Sequence, residues 1–140
     1  MSVPSATVVE MTEGTPGPAR VLVADDMPAN YELLEGILDL SGLKTEWAAT
    51  GSDALAKLRA RPYDLLVLDM HMPDMDGLEV VRRLRSDPAA HVPKIVVATA
   101  DTWMATSAEM MMVGADGVFT KPIDIPALLA LVETLMGPTR

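Results

Sequence analysis

Residues 65–80 read LLVLDMHMPDMDGLEV: an unbroken apolar run, an acid at Asp69, a short stretch of turn-forming residues, and the start of a helical pattern. Apolar residues at every position of 65–68, rather than at alternate ones, are what a strand carries when both of its faces are covered, as in a parallel sheet flanked by helices. Residues 95–98 repeat the pattern with Ile-Val-Val-Ala. Working outward, short strand-like runs alternate with helical patterns along the chain. VLVA precedes a helix over about 28–41, KTEWA one over 51–60, and LLVLD one over 77–86. KIVVAT precedes a helix over 102–112, and GVFT one over 124–136. In the last helix, Ile125, Leu128, Leu129, Val132, Leu135 and Met136 recur at helical intervals and predict one buried stripe, with Pro126 in the first turn, where its missing N–H is harmless. Five β-α units in succession predict an α/β domain with an open, doubly wound sheet, because parallel crossovers are right-handed.

Composition bounds what such a domain can do. At 140 residues the chain suits one domain with its own core, and residues 20–137 contain all of the periodic pattern. Residues 1–19, rich in Ser, Thr, Pro and Gly, read as a flexible leader, and 138–140 as a short tail. With 49% hydrophobic and 22% charged residues the balance is that of a globular protein. No apolar run reaches the roughly 20 residues of a membrane span, and the leader lacks the features of a secretion signal, so a cytoplasmic location is expected. The absence of cysteine excludes disulfides and thiolate chemistry. A formal net charge of −9 argues against direct binding to nucleic acid or to an anionic membrane.

Ligands of open α/β sheets bind beyond the carboxyl ends of the strands. Those ends carry Asp25 and Asp26, Asp69, Thr99 and Lys121. Taken singly, each has an ordinary reading. Asp26 can cap the helix that begins near Pro28, and Asp74, Asp76 and Gly77 can form a turn. Thr99 can be a plain strand residue and Lys121 a solvated one. Taken together, three acids and one ammonium leave about two uncompensated negative charges, an arrangement that calls for a divalent cation. Oxygen ligands favour Mg²⁺.

The blocks VLVADD, LLVLDMHMPDMDGLEV, VVATA and GADGVFTKP, in this order and spacing over residues 20–137, resemble the receiver (response-regulator) domain of two-component signal transduction. The resemblance implies a flavodoxin-like (βα)5 fold with a five-stranded parallel sheet in the order 2-1-3-4-5. It implies Asp69 as phosphoacceptor, Asp26 and Asp69 as Mg²⁺ ligands, Asp25 as a ligand acting largely through water, and His71 as a ligand through its backbone carbonyl. Thr99 would bond a phosphoryl oxygen and Lys121 would neutralise another. The implied donor is a phosphohistidine on a histidine kinase or histidine phosphotransfer protein. The implied readout surface is the fourth helix, fifth strand and fifth helix, where a homodimer is a further expectation. The domain would be a phosphoacceptor switch rather than an enzyme, either on its own or as a receiver fragment of a hybrid histidine kinase acting as a phosphorelay intermediate.

Some features depart from the family pattern. Its usual aromatic residue three positions before the lysine is replaced by Val118, and Phe119, one residue on, should point to the opposite face of the strand. Trp103 is a candidate stand-in. Met104, Met110, Met111 and Met112 on the fourth helix suit an adaptable partner surface as well as a core. His71, two residues after Asp69, is placed to tune the lifetime of a phosphoryl group, whereas His91 reads as solvated. A phosphatase of the haloacid-dehalogenase type would need an acid where His71 stands and has no room for a cap domain. A calcium loop aligned on Gly77 would place Arg83 where a bidentate Glu is required. A module that keeps the fold without the chemistry is disfavoured by the presence of all five site residues.

Overall fold

The structure, a computed structural model, describes residues 19–100 and 114–136. Five strands alternate with helices: β1 (Arg20–Ala24), α1 (Pro28–Leu40), β2 (Lys44–Ala48), α2 (Gly51–Ala60), β3 (Leu65–Asp69), α3 (Gly77–Arg85), β4 (Lys94–Thr99), β5 (Gly117–Thr120) and α4 (Ile125–Met136). All strand pairs are parallel and the sheet order is β2-β1-β3-β4-β5, the expected 2-1-3-4-5. Helix α4 is the fifth helical pattern of the sequence. The fourth, 102–112 with Trp103 and its methionines, lies outside the described residues, as do residues 1–18 and 137–140.

The continuous apolar runs have the predicted cause. Along β3, Leu66 and Leu68 enter a core cluster with Leu58, Val80, Val81 and Leu84 of α2 and α3, while Leu65 and Val67 enter the opposite cluster with Leu34, Leu38, Leu128 and Val132 of α1 and α4. Alternate residues thus serve alternate faces, and each fully buried aliphatic side chain stabilises the fold by about 1.5–3 kcal/mol before entropy is counted. On α4 the predicted stripe is modified. Leu128 and Val132 are buried, with Leu129, Leu135 and Met136 packed at its edge, but Leu131 joins them and Ile125 faces a cavity near Lys121. Leu131 is admitted because Gly117 leaves the space in front of it free; a Cβ there would overlap the Leu131 side chain.

Helix starts decide where the strand-end acids point. Asp26 does not cap α1: the N-cap is Met27, without a side-chain bond, and Pro28 takes the first helical position. Proline needs no capping partner there, so the Asp26 carboxylate is not used as a cap. Asp76 caps α3, its Oδ1 accepting from the Glu79 N–H at 2.9 Å, and Thr50 caps α2 by accepting from the Asp53 N–H at 3.0 Å. Asp74 goes beyond the turn-former reading, because its carboxylate leaves its own loop and binds the start of α2.

Candidate functional site

Strand register brings the acids together. Ala24 of β1 lies opposite Leu68 of β3, so the next residues, Asp25 and Asp69, stand side by side. Thr99 ends β4 opposite Thr120 of β5, which sets Lys121 one step further on the same edge. Oxygen atoms of Asp25, Asp26 and Asp69 all lie within 4.8 Å of one another. The Lys121 Nζ is 3.0 Å from Asp69 Oδ1 and 3.5 Å from Asp25 Oδ2. Asp25 and Asp69 are 4% and 6% exposed and Asp26 is open to solvent, so the cluster is anchored at depth and entered from the surface.

Burial pushes the Asp69 carboxyl above the ordinary carboxylate range, Lys121 pulls it back, and the neighbouring Asp25 charge adds to the rise. The main-chain N–H of His71 also donates to Asp69 Oδ1, at 3.3 Å. Asp25 is held by the Met27 N–H at 2.9 Å and by the Asn30 amide at 3.2 Å. One ammonium against three clustered carboxylates leaves a deficit of positive charge, and oxygen-only donors of this kind are fit to hold a hard divalent cation.

The remaining predicted residues are also placed. Thr99 is fully buried at the end of β4. His71 puts its backbone beside Asp69 while its side chain is exposed, and it pairs with Asp76 across the base of the loop that follows β3. Val118 packs on the α2-α3 side of the sheet and Phe119 on the α1-α4 side, as their spacing requires. Trp103 lies outside the described residues.

Three contributors escape a reading of the sequence by motif. Asn30 is the third residue of α1, where only its five-residue offset from Asp25 hints at contact. Trp47, on the neighbouring strand, donates its indole N–H to the Asp25 carbonyl at 2.7 Å and stacks on Tyr31 with ring centres 5.6 Å apart. Asp74 is the third. Beside the acids, a cavity of about 440 Å³ is lined by Leu33, Leu34, Val67, Ile123 and Ile125 together with Asp25, Asn30, Asp69 and Lys121. Among the described residues, no helix is long and apolar enough to cross a membrane.

Comparison with known proteins places this geometry in context. Residues 21–133 match the family described as the response regulator receiver domain. The response regulator PleD of Caulobacter vibrioides is 39% identical over 118 residues, covering 84% of this chain and 26% of its own length. Probable histidine kinase 4 of Oryza sativa subsp. japonica is 34% identical, with 85% of this chain and 14% of its own length covered. This chain therefore spans a minor part of both relatives. Among solved structures, the response regulator TrrA of Thermotoga maritima, in complex with Mg²⁺-BeF, superposes with a TM-score of 0.74 at 32% identity, covering 84% of this chain and 98% of that one.

Proposed function

The chain belongs to the response regulator receiver domain family, and on that premise we propose that Asp69 takes a phosphoryl group from a phosphohistidine on a histidine kinase or histidine phosphotransfer protein. The observation that carries this reading is the Lys121 ammonium 3.0 Å from the buried Asp69 carboxylate, with Asp25 and Asp26 clustered beside it. Mg²⁺ is the proposed cation, held by Asp25, Asp26, Asp69 and the main-chain carbonyl of His71; when bound it supplies positive charge against the phosphoryl oxygens. TrrA, whose receiver-like structure holds Mg²⁺-BeF, supports that choice.

In the transfer, an Asp69 oxygen forms the O–P bond while the N–P bond of the donor breaks and its electron pair returns to the imidazole. Lys121 holds the nucleophile in place and then faces a phosphoryl oxygen, and the Thr99 hydroxyl donates to another. Burial of Asp69 disfavours its free charge, so neutralising partners in the pocket count for more than they would in water. The domain is consumed and regenerated as a phosphoacceptor rather than turning over a separate substrate, and it works in the cytoplasm, where its donors are charged. Movement of Thr99 toward the new group would carry the segment after β4 with it and alter the surface formed with β5 and α4, which is also the proposed face for a second copy.

Labelling with a phosphohistidine donor tests the reading: wild type should take up the phosphoryl group and Asp69→Asn should not. Equal labelling of both would remove Asp69 from its role. The match to a histidine kinase favours a second context, in which this receiver is one segment of a longer kinase and passes its phosphoryl group on. Transfer from the labelled domain to a histidine phosphotransfer protein, faster than hydrolysis, would distinguish a relay from a terminal switch.

A further inference from the structure

Asp74 lies three residues beyond His71, at the far end of the loop from Asp69, and none of the proposed chemistry uses it. Its carboxylate nevertheless accepts three hydrogen bonds from the start of α2. The Gly51 N–H donates to Oδ1 at 2.9 Å, and the Ser52 N–H and hydroxyl both donate to Oδ2 at 2.8 Å. A carboxylate at a helix N-terminus meets unsatisfied N–H groups and the positive end of the helix dipole, so these are strong, charge-assisted bonds. The same donors, the Gly51 N–H foremost, hold the Asp74 carboxyl down at about 2, and it stays charged across the physiological range. A second tether lies alongside, because the Met75 side chain packs into the space that Gly51 leaves by having no Cβ.

At its other end this loop is closed on the acidic cluster. The Gly77 N–H donates to the Met70 carbonyl at 2.8 Å, His71 and Asp76 form a bridge, and the Met70 N–H reaches the Ala98 carbonyl at 2.9 Å. Loop residues 70–76 are therefore fixed at the base by the sheet and at the tip by α2. His71, whose backbone stands beside Asp69, belongs to the base, and the tip tether holds the rest of the loop against it.

We propose that Asp74 is a positioning residue for the cation site, bracing the loop against α2 so that the His71 backbone and the Asp69 carboxylate keep the spacing a divalent cation needs. This rests on reading the acidic cluster as a cation site. Groups that orient metal ligands typically contribute 10- to 100-fold to metal affinity.

The test is calorimetric titration of the whole chain with MgCl₂, comparing wild type with Asp74→Ala, Asp74→Asn, Thr50→Ala and Asp26→Ala, each checked for folding by circular dichroism. Asp74→Ala should bind Mg²⁺ about tenfold more weakly. Asp74→Asn keeps one acceptor oxygen, enough for the Gly51 N–H or for the Ser52 groups but not for both, and should fall between wild type and Asp74→Ala. Thr50→Ala removes the cap of α2 but leaves the brace, and should bind as wild type does. An unchanged affinity in Asp74→Ala, with binding lost in Asp26→Ala, overturns the brace while the cation site stands. Unchanged binding in Asp26→Ala overturns both. Equal losses in Asp74→Ala and Thr50→Ala would make the effect a general loosening of α2, which overturns the proposal.

Discussion

The indole N–H of Trp47 is bonded to the main-chain carbonyl of Asp25 at 2.7 Å, so a ring on one strand is tied to the residue just after the neighbouring one, whose carboxylate belongs to the acidic cluster. Cation binding at Asp25 should alter the surroundings of that ring. In a Trp103→Phe background, where Trp47 is the sole tryptophan, Mg²⁺ is expected to change the fluorescence in a saturable way. Trp47→Phe keeps a ring to stack on Tyr31 but leaves the carbonyl unpaired, at a cost of about 1 kcal/mol. A midpoint lower by about 4 °C in thermal unfolding would express that loss.

Mg²⁺ itself should stabilise the folded chain, because the three acids are gathered only when it is folded. At ten times its dissociation constant a ligand specific for the folded state adds about 1.4 kcal/mol. Differential scanning calorimetry should then record a rise of about 5 °C in wild type. Asp26→Ala should lose most of the rise; a full rise in the variant would place the cation elsewhere.

Burial raises the Asp69 carboxyl, and this fixes the sign of a pH effect. Between the ordinary carboxylate pKa and the raised folded value, the folded state binds more protons than the unfolded state, so this group's contribution to stability falls as pH rises through that window. Without Mg²⁺, Asp69→Asn should therefore unfold a few degrees above wild type at neutral pH. The gap should close as the buffer is taken below the ordinary carboxylate range. A variant less stable than wild type at neutral pH would mean that Lys121 contributes more than burial costs.

The parts of this molecule that the sequence reveals are those with short-range rules. Residues 65–68 disclose a covered strand because both of its faces are apolar, whereas strand order comes from the receiver resemblance, since right-handed crossovers alone allow several orders. Asp25, Asp69 and Lys121 are found because strand ends converge on one edge of the sheet. Asp26 could not be assigned so simply, since an Asp before Met-Pro28 fits a helix cap equally well; only the observed Met27 N-cap frees it. Trp47 and Asp74 stayed hidden for a different reason. Their partners are 22 and 23 residues away, set by strand register and by the packing of a loop tip on a helix, and neither leaves a local pattern.

Gly77 gives a steric test of how tightly Asp69, the proposed phosphoacceptor, is seated. A Cβ at this position would come 3.2 Å from both the Asp69 carbonyl oxygen and the Met70 Cα, which are backbone atoms with little room to yield. Gly77→Ala should gain helix propensity in α3 yet lose more by shifting the end of β3, for a net cost of about 1–2 kcal/mol. Phosphoryl uptake from a small-molecule or protein donor should slow together with stability. A stabilised variant with wild-type uptake would mean that the loop after β3 has slack.

A final prediction concerns the far edge of the sheet. The Tyr63 hydroxyl, on a side chain only 2% exposed, donates to Glu46 Oε1 at 2.6 Å, while Glu46 Oε2 accepts from Arg20 at 3.0 Å and Arg61 at 3.1 Å. The Tyr63 bond, more than either arginine, lowers the Glu46 carboxyl; burial, then Glu46, pushes the Tyr63 phenol up to about 12. A lowered carboxylate contributes stability above its unfolded pKa and loses it as pH falls through the folded value. A raised phenol contributes below its unfolded pKa, about 10, and loses it as pH climbs toward the folded one. Tyr63→Phe should therefore cost about 1.5 kcal/mol at neutral pH, the worth of a hydrogen bond to a charged group, or about 5 °C in unfolding midpoint. Wild type should converge on the variant at both extremes, below about pH 4 and above about pH 10. A difference that stays constant across that range would mean that Tyr63 acts through packing alone.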